Sequence, residues 1–155
     1  MLGMGAAATS AAASQIDGPI VVRIGRPITV TSLKPGDWMK VLLDGELTLF
    51  IRRRTDLEIA EVRRTPLDTL PDPEEDAART TDPQWIIVSG RCTHAGCDVV
   101  CGQGPFEGWA CFCHGSYYDL SGRVRGGPAK RNLDVVHFSS DDTTLNLLGV
   151  RSGPI

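Results

Sequence analysis

Four of the five cysteines and two of the three histidines in this chain fall in two short boxes, Cys92-Thr93-His94-Ala95-Gly96-Cys97 and Cys111-Phe112-Cys113-His114-Gly115-Ser116. Thiols and imidazoles crowded into so little chain point to a metal site that both boxes reach together. Each box offers a Cys and a His, Cys92 with His94 and Cys111 with His114, and each leaves one cysteine over. Two thiolates and two imidazoles suit a tetrahedral structural zinc as well as an iron-sulfur cluster. The order of the residues favours the cluster. A zinc finger usually sets two Cys on one knuckle and two His on a helix, whereas here Cys and His mix within each box and a glycine follows closely. The leftover pair, Cys97 and Cys113, is open to two readings, a bond to each other or two buried free thiols.

The chain around the boxes reads as β. Ile20 to Ile24 and Ile28 to Thr31 are β-branched runs, and Asp44-Gly45 between Met39–Leu43 and Glu46–Ile51 is a hairpin signal. Thr55 to Glu58 has the pattern of a capping box that starts a short helix through Val62. The proline-broken, acid-rich stretch from Thr65 to Gln84 predicts a solvated loop with one helical turn near Glu74. Trp85 to Ser89 predicts a buried strand leading into the first box, and Val135–Phe138 and Thr143–Leu148 predict two more around a turn at Ser140 to Asp142. Both boxes then sit on loops presented by a rigid scaffold, which exposes the histidines to partners. His137, within a strand-like run, reads as an ordinary structural histidine.

The boxes resemble those of the Rieske iron-sulfur subunit of cytochrome bc complexes, the quinol to cytochrome c oxidoreductases. Phe50 to Thr55, Tyr118-Asp119-x-x-Gly122-Arg123 and Gly127-Pro128-Ala129 extend the likeness, which spans roughly residues 25 to 149. The resemblance implies an all-β, mainly antiparallel Rieske-type fold with a base β-sandwich domain, one short helix and a long loop. Into the base is inserted a small rubredoxin-like cluster-binding subdomain at about residues 90 to 130. It implies one 2Fe-2S cluster of the Rieske type, with Cys92 and Cys111 on one iron and His94 and His114 on the other, and a disulfide between Cys97 and Cys113. Ser116 and Tyr118 match the hydroxyl residues that hydrogen-bond cluster sulfur in high-potential members. Three positions depart from the pattern: Ala95 where a bulkier apolar residue is usual, Phe112 in place of a common proline, and Cys101, which reads as a small buried hydrophobe between the boxes.

Replacing two thiolates by neutral imidazoles makes such a cluster less negative and lifts its potential from about −400 mV into the range of about −150 to +300 mV. The resemblance therefore implies a one-electron carrier that takes an electron and a linked proton from quinol, with His114 as the quinol-facing group, and passes the electron to a c-type cytochrome. Cytochrome b and cytochrome c-type subunits are the implied partners. Within electron transfer, the small Rieske subunit of a periplasmic oxidase such as arsenite oxidase, or a Rieske ferredoxin, is the alternative. Ferredoxins normally lack the leftover cysteine pair and run at low potential. A zinc-stapled binding module is the reading from another class, and its protein would be colourless.

At 155 residues, 41% hydrophobic and 23% charged, the chain suits one compact domain, here residues 16–155. A net charge of −3 gives no basic footprint for nucleic acid and would suit a basic cytochrome-like partner. Residues 1–15 are rich in Ala, Gly and Ser and read as a flexible linker; no apolar run is long enough to cross a membrane. Since the resembled subunits are anchored by an N-terminal helix through a small-residue hinge, the expectation is a soluble fragment whose anchor is missing. The expected location is the periplasmic side of a bacterial inner membrane or the intermembrane-space side of a mitochondrial one.

Overall fold

The computed structural model describes residues 19–151; the expected linker, residues 1–15, lies outside them. β-Branched and aromatic runs build one seven-stranded sheet from β1 (Ile20–Val22), β2 (Pro27–Thr29), β3 (Trp38–Leu43), β4 (Leu47–Arg53), β5 (Trp85–Ser89), β10 (Val135–Ser140) and β11 (Thr144–Arg151). Its order is β1-β3-β4-β5-β10-β11-β2, so the two edge strands are neighbours in sequence. All pairings are antiparallel except β1 with β3. All seven strands contribute to one apolar cluster, from Val22 and Ile28 through Leu49, Ile51 and Trp85 to Phe138 and Leu147. The expected base sandwich is thus one continuous sheet folded over on its own apolar face.

The hairpin at Asp44-Gly45 forms as expected, with positive φ at both turn residues. Thr55 caps α1 (Asp56–Arg64) with the full reciprocal capping box to Glu58, and the helix runs two residues past the expected end.

Alternation along three central strands splits their side chains between two cores. In β4, Leu49 and Ile51 face the base core while Phe50 faces a second one; β5 sends Trp85 and Ile87 one way and Ile86 and Val88 the other; β10 does the same with Val136 and Val135. That second core also holds Cys92, Val99, Cys101, Trp109, Cys111, Tyr118 and Val124. A four-stranded sheet, β6 (Val100–Cys101), β7 (Trp109–Ala110), β8 (Tyr117–Tyr118) and β9 (Val124–Gly126), sits over it in sequential order. This small sheet lies within residues 90 to 130, where the cluster-binding subdomain is expected, and the buried faces of β4, β5 and β10 are its floor.

The stretch from Thr65 to Gln84 is largely solvated as expected, with a helical turn near Glu74, but three of its side chains are buried. It carries two single 3-10 turns, Leu67–Thr69 and Asp76–Ala78, and buries Leu70, Asp76 and Arg79. Two of its acids, Glu74 and Asp76, are ion-pair partners of arginines, the buried Arg54 and Arg79 among them.

Candidate metal centre

The first box follows β5 and the second lies between β7 and β8. Their backbones are near duplicates. The Gly96 N–H donates to Cys92 O at 2.9 Å and the Gly115 N–H to Cys111 O at 3.0 Å, while the Cys92 N–H donates to Cys97 O and the Cys111 N–H to Ser116 O. Gly96 and Gly115 turn each loop back at φ of +80° and +83°, a region costly for residues with a Cβ. One turn geometry used twice explains why glycine follows each first cysteine at the same offset.

Each loop buries its first cysteine and exposes its histidine. Cys92 and Cys111 are buried, with their sulfurs in hydrogen-bonding contact, whereas His94 and His114 are exposed at the tip with ring centroids 4.8 Å apart and planes at 85°. Cys97 and Cys113 form a disulfide with a Cα–Cα distance of 6.5 Å, which ties the loops together. The sulfurs of Cys97, Cys111 and Cys113 all lie within 4.8 Å of one another. Two free thiols inside and two imidazoles outside make a donor set of two unlike halves, the chemistry a Rieske-type 2Fe-2S cluster requires.

Hydroxyl groups gather on the sulfur side. The buried Tyr118 hydroxyl lies 3.2 Å from Cys92 Sγ, and the Thr93 amide donates to it at 3.3 Å. Thr93 Oγ1 lies 3.1 Å from the same hydroxyl and donates to the carbonyl of Arg131 at 2.6 Å, so toward Tyr118 it can only accept. The Tyr118 proton is therefore directed at Cys92 Sγ or Thr93 Oγ1. Ser116 Oγ, fully buried, accepts from the Ala129 N–H at 3.0 Å, and its own proton is given to no protein group among the described residues. Burial by itself raises the Cys92 pKa, but the Tyr118 hydroxyl and the amides of His94 and Ala95 outweigh it and hold the thiol below its usual range. Burial raises the pKa of Cys111, and the neighbouring Cys92 adds to that shift. Burial and the Cys92 sulfur likewise raise the Tyr118 phenol.

A polar network under the second core had no signal we read in the sequence. Arg54, 1% exposed, makes two bonds to Asp76 and donates to the carbonyls of Pro83 and Leu120. Asp76 also accepts from Ser121 Oγ at 2.6 Å and Arg63 Nε at 3.1 Å. Arg79 donates to the carbonyls of Ser121 and Leu133, both at 2.6 Å, and pairs with Glu74, which also takes Arg151. Arg123 pairs with Asp119 and donates to Val62 O at the end of α1. Burial pushes the Asp76 carboxyl up, yet Arg54, Ser121 and Arg63 outweigh it and hold it below the usual carboxylate range. The network clamps the turn from Asp119 to Arg123, directly after Tyr118. Consecutive arginines in an otherwise apolar strand, Arg52 to Arg54, were the available sequence signal.

The remaining singled-out positions fall as follows. Cys101 is a buried free thiol on β6, its pKa pushed up to about 11 by burial. His137 is exposed on β10 and distant in sequence from the loops. Ala95 is exposed beside His94, and Phe112 projects from the second loop at 73% exposure.

Residues 28–137 match the family profile of the Rieske [2Fe-2S] domain. The mitochondrial Rieske subunit of the cytochrome b-c1 complex from Solanum tuberosum is 44% identical over 122 residues, which cover 79% of this chain and 46% of that protein. Its counterpart from Candida albicans is 49% identical over 98 residues, 63% of this chain and 46% of that one. The chain therefore spans about half the length of the curated relatives it matches. In fold it is similar to a chain of a hyperthermophilic respiratory Complex III, with a TM-score of 0.53, 23% identity, and coverage of 78% of this chain and 72% of the other. With two matching loops, a buried thiol pair, an exposed imidazole pair and this profile over most of its length, the chain belongs to the Rieske 2Fe-2S domain family.

Proposed function

We propose that this chain is the iron-sulfur domain of a quinol-cytochrome c oxidoreductase, taking one electron with a linked proton from quinol and handing the electron to a c-type cytochrome. Cys92 and Cys111 would hold the inner iron of the 2Fe-2S cluster and His94 and His114 the outer one. The observation that carries the reading is the pair of exposed imidazoles set outside a buried thiol pair. When bound, the cluster supplies a one-electron couple in the range of about −150 to +300 mV.

The residues around it do the rest. His114 would hold iron through one ring nitrogen and leave the other free to accept a hydrogen bond from a quinol hydroxyl and then hold its proton. Tyr118, whose hydroxyl lies 3.2 Å from Cys92 Sγ, and Ser116, whose hydroxyl proton is given to no protein group among the described residues, would as donors to cluster sulfur favour the more negative reduced form and so raise the potential. Burial of Cys92 and Cys111 keeps water from the thiolate half, while Phe112 and Ala95 give the histidine tip an uncharged surface. That relatives named as cytochrome b-c1 subunits share up to about half their length with this chain supports cytochrome b and a c-type cytochrome as partners. It also supports a place on the periplasmic or intermembrane-space side of the membrane. Residues 1–15 would then be the hinge that lets the domain swing between docking sites.

A redox titration across pH tests this. A high potential that falls as pH rises into the alkaline range is expected, and replacing His114 by Cys should lower it and flatten its pH dependence. A low, pH-independent potential would instead assign the chain to ferredoxin-like service.

A further inference from the structure

The disulfide takes two sulfurs out of a group of three. Those of Cys97, Cys111 and Cys113 lie within 4.8 Å of one another, and the Cys92 thiol, outside that group, hydrogen-bonds Cys111. Thiolates bind metals, and sulfurs in a disulfide do so poorly. While the bridge stands, the loops offer two thiolates and two imidazoles. Once it opens, they offer three thiolates close together, with that of Cys92 beside Cys111. A tetrahedral zinc site with Zn–S bonds of about 2.3 Å needs sulfurs about 3.8 Å apart, a spacing that Cys97, Cys111 and Cys113 approach and that Cys92 would reach by turning toward them.

We propose that the two loops form a second metal site, exclusive of the 2Fe-2S cluster and opened by reduction of the Cys97–Cys113 disulfide. In it Cys97, Cys111, Cys113 and Cys92 bind one thiophilic divalent cation, with zinc as the best chemical match. The donor set supports this, since four thiolates in a closed tetrahedron suit zinc, whereas two thiolates with two imidazoles serve the asymmetric cluster. So does the local charge. Neither box carries an acidic or basic side chain besides its histidine, and the amides of His94, Ala95, Cys113 and His114 point at the sulfurs. Amide donors of this kind stabilise the negative charge of a zinc tetrathiolate. The electrons balance through a dithiol. It gives two electrons and two protons to the bridge and becomes a cyclic disulfide; zinc then displaces the protons of Cys97 and Cys113 and, in the loaded chain, the two irons and two sulfides held at Cys92 and Cys111, which leave as free ions, or the protons of those two thiols in the cluster-free chain. In this account the disulfide selects the metal: closed, it leaves the ligand set for iron and sulfide; open, it offers a zinc trap that shares Cys92 and Cys111. The inference rests on loop geometry and is independent of the quinol reading.

The test uses the full chain purified with its cluster, kept anaerobic in four samples: untreated, with a trialkylphosphine, with zinc, and with both. Only the last should lose its visible absorbance and retain one zinc ion per chain in native mass spectra. Zinc retained without reduction, or none retained after thiol counting shows the bridge open, overturns the proposal. Cobalt added to the reduced, cluster-free chain should give intense thiolate-to-metal absorption that disappears in urea. An equal signal in urea means that unfolded thiols bind it, and overturns the proposal. Cys97→Ser should weaken cobalt binding by about tenfold or more, since losing a ligand costs at least as much as losing a supporting residue, while Cys101→Ser should leave it unchanged. Equal effects overturn the proposal, and if Cys97→Ser fails to fold by circular dichroism, a cobalt spectrum with fewer than three thiolates does so instead.

Discussion

The base sheet and the small sheet above it are built on different terms. In the base, long antiparallel ladders close over one apolar cluster to which every strand contributes, so stability is spread over many contacts of similar weight. The four strands above are two or three residues long, too short to hold a sheet alone. They depend on the floor supplied by β4, β5 and β10, on the buried arginine network, and on the disulfide between the loops. The comparison teaches that a region which must leave two histidines bare cannot bury its way to rigidity. It uses directional and covalent pins, and each pin carries a large share.

The strongest way to break this comparison is Cys111→Ser. Cluster absorbance should vanish entirely while the far-UV spectrum of the base persists; collapse of both would show that the two regions stand or fall together. Next, Arg54→Met leaves the buried Asp76 carboxylate with only Arg63 and Ser121 and should cost about 2 to 3 kcal/mol, read as a thermal midpoint lower by about 5 to 10 °C. A shift near zero would mean that the network contributes little to the upper region.

Acid should strike the same pin. The folded-state pKa of Asp76 lies below its unfolded value, so its contribution is present above that unfolded value and lost as pH falls through the folded one. Stability should drop below about pH 4, and in Asp76→Asn this acid limb should shrink. Tyr118→Phe sharpens the comparison from the functional side. Removing a hydrogen bond worth about 1 kcal/mol should lower the potential by about 45 mV, taking 59 mV per tenfold for one electron, with little change in melting. The smallest effect belongs to the exposed Arg64–Glu61 pair, 3.9 Å apart on α1. Glu61→Gln should change stability by less than about 0.5 kcal/mol.

Features with a local cause were readable in advance. The Asp44-Gly45 turn and the Thr55–Glu58 capping box are decided within four residues, and both formed where expected. In the stretch from Thr65 to Gln84, the burial of Asp76 and Arg79 was not readable, because charged residues look solvated until their partners are known. Arg54 lies 22 residues from Asp76 and Arg79 lies 42 from Ser121, separations at which sequence carries no pairing signal. Thr93 escaped notice for a related reason, since its importance depends on the Arg131 carbonyl, 38 residues away.

The amino-acid sequence alone determined the donor types, their division between two boxes, and the glycines that turn both loops alike, because ligand chemistry and φ preference belong to single residues. The tertiary structure alone decided which donors face inward. It buried Cys92 and Cys111, exposed His94 and His114, joined Cys97 to Cys113 and left Cys101 free. Burial and bonding distance depend on strands brought together from far along the chain, and no local pattern of residues encodes where those strands meet.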